Sequence, residues 1–82
     1  MQAEREAIIR ALKGPQFDRK RHGSLYDRGL ADSYYWRSAR PHWYPNGSYN
    51  GPDISTDLTA EEQAEYMQGY DDNEFNGDKK EY

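Results

Sequence analysis

Apolar residues are sparse along this chain and fall into three helical rhythms separated by polar stretches rich in proline and glycine. Ile8, Ile9 and Leu12 make a narrow stripe over residues 3–13, Glu6 and Arg10 can pair one turn apart, and Gly14-Pro15 stops the run, so a first helix is predicted there. Tyr26, Leu30 and Tyr34 recur at i, i+4 and i+8 with Gly29, Ser33 and Trp36 beside them, which predicts a second helix over about 24–37. A third, over about 59–75, sets Glu62, Tyr66 and Tyr70 on one line with Gln63 and Met67 alongside, and Asn76-Gly77 ends it. Residues 38–57 hold Pro41, Pro45, Asn46-Gly47 and Asn50-Gly51-Pro52, a loop longer than compact domains usually leave without a reason, so it is expected to carry function. Tyr44, Tyr49 and Ile54 around two turns allow a small hairpin within 44–54, and residues 77–82 read as a frayed tail.

The second and third helices carry the same phrase, Tyr26-x-x-Gly29-x-x-Asp32 and Tyr66-x-x-Gly69-x-x-Asp72. Each follows a helix-start signal, Ser24 with Asp27 and Thr59 with Glu62, in which hydroxyl and carboxylate can satisfy orphan N–H groups reciprocally. Glycine inside a helix costs about 1 kcal/mol against alanine, so a repeated glycine points to close approach of two backbones. The expected fold is all-α: an antiparallel pair of helices meeting through Tyr26, Gly29, Leu30, Tyr66, Gly69 and Tyr70, with the N-terminal helix and a long aromatic loop. The same contact made between chains would give a homodimer.

At 82 residues the chain is expected to be a single small domain, 1–82, with the helix in 1–15 loosely docked. There is no valine, and eight Tyr, two Trp and two Phe must supply much of the buried area, so the core should be shallow with phenol ends at the surface. The absence of cysteine removes disulfides and thiolate metal sites, and together with the lack of a membrane-spanning run it predicts a cytoplasmic protein without membrane attachment. Neither His22 nor His42 has metal-ligand spacing, and Asp72-x-Glu74-x-Asn76-Gly77 copies only the opening of a calcium loop, so neither a metal nor a cofactor is expected. No nucleophile–base arrangement, phosphate loop or dinucleotide fingerprint is present, so no catalytic residue is assigned and the protein is not expected to be an enzyme.

The net charge of −4 divides into +4 over residues 1–45 and −8 over residues 46–82. Three candidate surfaces follow. Glu61, Glu62, Glu65, Asp71 and Asp72 form an acidic helix face that can mimic a phosphate backbone toward a basic partner. His42, Trp43, Tyr44 and Tyr49 form an aromatic loop, either a contact surface or a lid over the helix pair. Arg19, Lys20, Arg21, Arg28, Arg37 and Arg40 form an alternative basic site, since direct nucleic-acid binding is not expected of the acidic half.

The run Asp27-Arg28-Gly29-Leu30-Ala31, with Arg37, Pro41-His42-x-Tyr44 and Tyr66-x-x-Gly69-Tyr70, resembles ribosome modulation factor, a small two-helix bacterial protein of ribosome hibernation. Asp32-Ser33-Tyr34-Tyr35, Pro41-His42 and Leu58-Thr59-x-Glu61-Glu62 are also similar to small phage-type proteins. The second resemblance implies a non-enzymatic regulator or inhibitor that binds a larger nucleic-acid-handling complex through the acidic helix and aromatic loop. The first implies a ribosome-associated factor that binds rRNA or ribosomal protein through the basic half, although that family is basic where this second half is acidic.

Overall fold

A computed structural model describes residues 14–47 and 55–81; the helix expected over 3–13, Tyr49 and most of the expected hairpin lie outside them. The described residues are all-α, with a 3-10 turn at Pro15–Phe17, helix α1 at Leu25–Tyr34 and helix α2 at Ala60–Asn76. Their one β feature is a single antiparallel bridge between Trp43 and Ser55.

Both helices start as their sequences dictate. Thr59 and Glu62 form a reciprocal capping box, with Glu62 N–H donating to Thr59 Oγ1 at 3.2 Å and Thr59 N–H to Glu62 Oε1 at 2.9 Å. At α1 the Ser24 hydroxyl accepts from Asp27 N–H, but the Asp27 carboxylate reaches one residue further back, to Gly23 N–H at 2.9 Å. Helix α1 ends three residues earlier than its periodicity suggests. Trp36 N–H donates to Ser33 O and Arg37 N–H to Asp32 O, the paired bonds of a Schellman stop. Trp36 therefore adopts φ +63°, a left-handed conformation that costs a bulky residue roughly 1–2 kcal/mol and that α2 achieves at Gly77, φ +68°.

The helices meet at the repeated glycines. A Cβ on Gly29 would run into Tyr66 O and lie 2.7 Å from Tyr70 N; one on Gly69 would run into Tyr26 O and lie 3.1 Å from Tyr26 Cα. Tyr26 and Tyr66 thus exchange equivalent roles across the crossing. The antiparallel sense expected from the sequence does not fit these contacts. Ser33 and Asn73 each lie four residues, about 6 Å, beyond their glycine, yet Asn73 Nδ2 donates to Ser33 Oγ at 2.9 Å. An antiparallel pair would carry those positions about 12 Å apart, so the helices leave the crossing in the same general sense.

That sense explains the long loop, because the chain must travel from the end of α1 back to its start before α2 can begin. Tyr44 N–H donates to Gly23 O at 2.8 Å, just ahead of the α1 cap, and Arg21 donates to Tyr44 O at 3.2 Å and to Pro45 O. Residues 37–47 are thus a return strap along α1. The tail is also held: Lys80 N–H donates to Tyr34 O at 2.8 Å, Lys79 Nζ to Ser33 O at 2.9 Å, and Trp36 Nε1–H to Lys80 O at 2.9 Å. Where fraying was expected, Lys79 and Lys80 are held because the carbonyls left open at the end of α1 need donors.

Among the described residues the core is small, with Phe17, Leu25 and Tyr66 buried and Trp43, Leu58, Met67 and Tyr70 packed against them. The buried line of α1 is Leu25, Gly29, Asp32 and Ser33, adjacent to the Tyr26–Leu30–Tyr34 stripe, whose residues are half-buried. In α2 the buried residues are Glu65, Tyr66, Gly69 and Asn73, while Glu62 stays half-buried. Polar residues displace apolar ones here because each finds its partner on the opposite helix or the N-terminal segment.

Substitution should expose the crossing. Gly29→Ala and Gly69→Ala are expected to cost about 3 kcal/mol each, the upper end for overpacking, because backbone blocks the new methyl. Gly77→Ala meets nothing within 4 Å and should lose about 1 kcal/mol for its left-handed backbone. Urea denaturation followed by circular dichroism measures all three, and equal losses would contradict a tight crossing.

Candidate functional site

Asp32, 4 % exposed, is the hub of the polar interior. One oxygen accepts from the Tyr66 hydroxyl and lies 3.8 Å from His42 Nδ1; the other faces Arg37 at 3.4 Å and Arg28, one helical turn back, at 3.8 Å. Tyr66 in turn accepts from Arg40 N–H at 3.0 Å, and burial followed by the Asp32 bond holds its phenol far above the usual tyrosine range. Arg28 Nε–H donates to His42 Nε2 at 3.1 Å, which leaves the ring proton on Nδ1, 2.6 Å from Arg40 O. The strap is therefore fastened to α1 through its histidine.

Equivalent chemistry recurs across the crossing. Tyr26 donates to Asp72 at 2.6 Å, the counterpart of Tyr66 to Asp32. Burial and that bond raise Tyr26, while the Tyr26 and Gln68 hydrogen bonds hold Asp72 below the usual carboxylate range. Glu65 is buried and takes a bidentate pair of hydrogen bonds from Arg19 at 2.9 and 3.0 Å, and this pairing raises the Arg19 guanidinium. The acidic face expected of α2 is thus divided. Glu62 caps the helix, Glu65 and Asp72 face inward partners, and Glu61 and Asp71 are the exposed pair.

The aromatic loop is a lid over the core rather than an open surface. Trp43 packs on the core cluster, Tyr44 meets His42 edge-on with centroids 5.5 Å apart, and the Arg28 guanidinium lies 4.9 Å over the Tyr44 ring. The six basic residues also separate. Arg19 is tied to Glu65, Arg21 holds the strap and lies 5.7 Å over Trp43, and Lys20 is exposed. Arg28, Arg37 and Arg40 converge with Asp32, Ser38, Pro41, His42, Tyr44 and Thr56 on an open cavity of about 480 Å³. Three guanidiniums against one carboxylate leave two surplus positive charges around that concavity. With Ser38 and Thr56 as hydroxyl donors, it suits an anion such as a phosphate.

Asp32 was not singled out in the sequence, although its place as the acid of the repeated phrase was the signal available. Ser38 and Thr56 had no such signal. Among the described residues no cluster of three or more metal-ligating side chains occurs, and no helix is long and apolar enough to cross a membrane. No protein-family model, curated protein or solved structure matches the chain.

The tyrosine–aspartate pairs predict a pH window. Tyr26 and Tyr66 are raised in the fold above an unfolded value of about 10, so their contribution is complete below about pH 10 and is lost as pH rises through the folded values. Asp72 is depressed, so its contribution is complete above about pH 3.9 and is lost as pH falls through its lower folded value. Tyr66→Phe should cost about 2 kcal/mol and flatten the alkaline limb of a stability-versus-pH curve; an unchanged limb would contradict the assignment.

Proposed function

We propose that this protein is a non-enzymatic RNA-binding module that attaches to a larger ribonucleoprotein, with RNA phosphates received by Arg37 and Arg40 at the mouth of the strap cavity. The observation that carries this reading is the convergence of Arg28, Arg37 and Arg40 on one open concavity. Arg37 keeps 54 % of its side chain exposed and Arg40 is exposed, so both forks can turn to a phosphate, while Arg28 shapes the floor through His42 and Tyr44. A binding role rather than catalysis is supported by the engagement of both His42 nitrogens, with Arg28 and Arg40 O, and of both Asp32 oxygens, with Tyr66 and Arg37.

The net charge of −4 argues against phosphate at long range. Locally, buried Glu65 is compensated by Arg19, and half-buried Asp72 accepts from Tyr26 and Gln68. The resemblance to ribosome modulation factor favours the same partner class, through the same arginines. The alternative of an acidic helix occupying a basic protein groove is left with Glu61 and Asp71 as its exposed acids.

Arg37→Gln with Arg40→Gln should weaken binding to a single-stranded ribosomal RNA fragment and reduce the slope of log affinity against log salt by about 1.4 for two lost phosphate contacts. Charge reversal at Glu61 and Asp71 should not weaken it. Fluorescence anisotropy over a salt series reads both. Loss of partner binding on acid reversal, with no effect of the arginine pair, would replace this reading with the acidic-helix one.

A further inference from the structure

The described chain spends a tryptophan where its own pattern calls for glycine. Trp36 occupies the left-handed position of the Schellman stop of α1, φ +63°, the place that Gly77 fills at the end of α2. A bulky residue tolerates that conformation only when something compensates, and burial does not, because Trp36 is 62 % exposed. Its indole N–H holds Lys80 O at 2.9 Å, which fixes the ring rather than hiding it. Its surroundings are aromatic and mixed in charge, with Lys79 paired to Glu74 and with Lys80 and Glu81 bordering the same surface. Lys79 Nζ lies 5.1 Å from the Trp36 ring centroid, Lys80 Nζ 5.2 Å from that of Tyr35, and the Arg37 guanidinium 4.9 Å from the same Tyr35 ring. Residues 36–40 are exposed without a break and lead from the indole directly to Arg37 and Arg40 at the cavity.

Phe75, 92 % exposed, makes a useful contrast, for its ring carries no N–H through which it could be pinned. An exposed aromatic ring pinned through its own N–H, next to arginines at an open cavity, is an arrangement that takes an unpaired base on its face and the flanking phosphates on its charges. We propose that Trp36 is a stacking platform for an unpaired base of single-stranded RNA, whose adjoining phosphates lie against Arg37 and Arg40. This rests on the RNA-binding reading and narrows it, because base pairs in a duplex cannot offer a face to the indole.

The test uses the full chain with a fluorescein-labelled oligouridine and, separately, a duplex RNA of equal length at low salt. Oligouridine is expected to bind more tightly than the duplex and to quench tryptophan fluorescence. Trp36→Gly suits the left-handed backbone, so it should keep the helical circular dichroism signal while weakening oligouridine binding about ten-fold, the order of one stacked base. Trp36→Phe should retain more affinity than Trp36→Gly yet abolish most of the quenching, since Trp43 lies against the core. If oligouridine binds in a manner dependent on Arg37 and Arg40 but Trp36→Gly binds it as well as the wild type, or if the duplex binds equally, stacking is overturned while phosphate binding stands. If neither RNA binds the wild type at low salt, both readings fall.

Discussion

Two helix backbones pass at Gly29 and Gly69 with no room for a Cβ on either, and most of the described structure is a consequence of that contact. Once the backbones touch, the side chains flanking each glycine are forced outward to the opposite helix. Tyr26 finds Asp72, and Tyr66 finds Asp32. The repeated phrase is therefore one interaction written from both sides. Because the helices run in the same general sense, a return strap is obligatory, and the strap is what brings Arg40, His42 and Tyr44 against Arg28, Asp32 and Arg37. The candidate site is a by-product of the crossing's direction.

A chain with so few aliphatic residues must be held together by something other than hydrocarbon. Among the described residues the largest fully buried side chains are Tyr66, Leu25, Ser24 and Ser33, three of them hydroxyl-bearing. Such an interior tolerates polar groups only when each is matched, and here the matches run between segments distant in sequence: Arg19 with Glu65, Asn73 with Ser33, Tyr66 with Asp32 and Arg40. These bonds are directional, so they fix helix rotation and register more sharply than a greasy seam would.

The glycines, caps and helix ends were legible because local rules govern them: a capping box needs only Thr59 and Glu62, and a repeated Gly needs a neighbour. The helix direction was not, since the pairing of like with like at Gly29 and Gly69 satisfies either sense until Ser33 and Asn73 are seen together. Periodicity also chose the wrong stripe of α1. It took Tyr26, Leu30 and Tyr34 with Gly29, Ser33 and Trp36 beside them, whereas Trp36 is exposed and Asp32 is buried because its partners come from α2 and the strap, which no local window contains. The six basic residues looked equivalent in the sequence, and only the strap separates the structural Arg19 and Arg21 from the convergent Arg28, Arg37 and Arg40.

The same internal bonding alters the meaning of the charge. A sequence with +4 in one half and −8 in the other suggests a dipole with a basic and an acidic face. In the fold, Arg19 of the basic half meets Glu65 of the acidic half, and further charges pair within each half, Asp32 with Arg28 and Arg37, and Glu74 with Lys79. What governs recognition is then the charge that geometry leaves unmatched at a concave surface, where solvent screens it least. At the strap cavity three guanidiniums share one carboxylate, so Arg40 and the exposed part of Arg37 carry the surplus, while Glu61 and Asp71 stand on the exposed side of α2. A protein of negative net charge can in this way present a positive site, and its affinity should depend on the few residues around that cavity rather than on the sum over the chain.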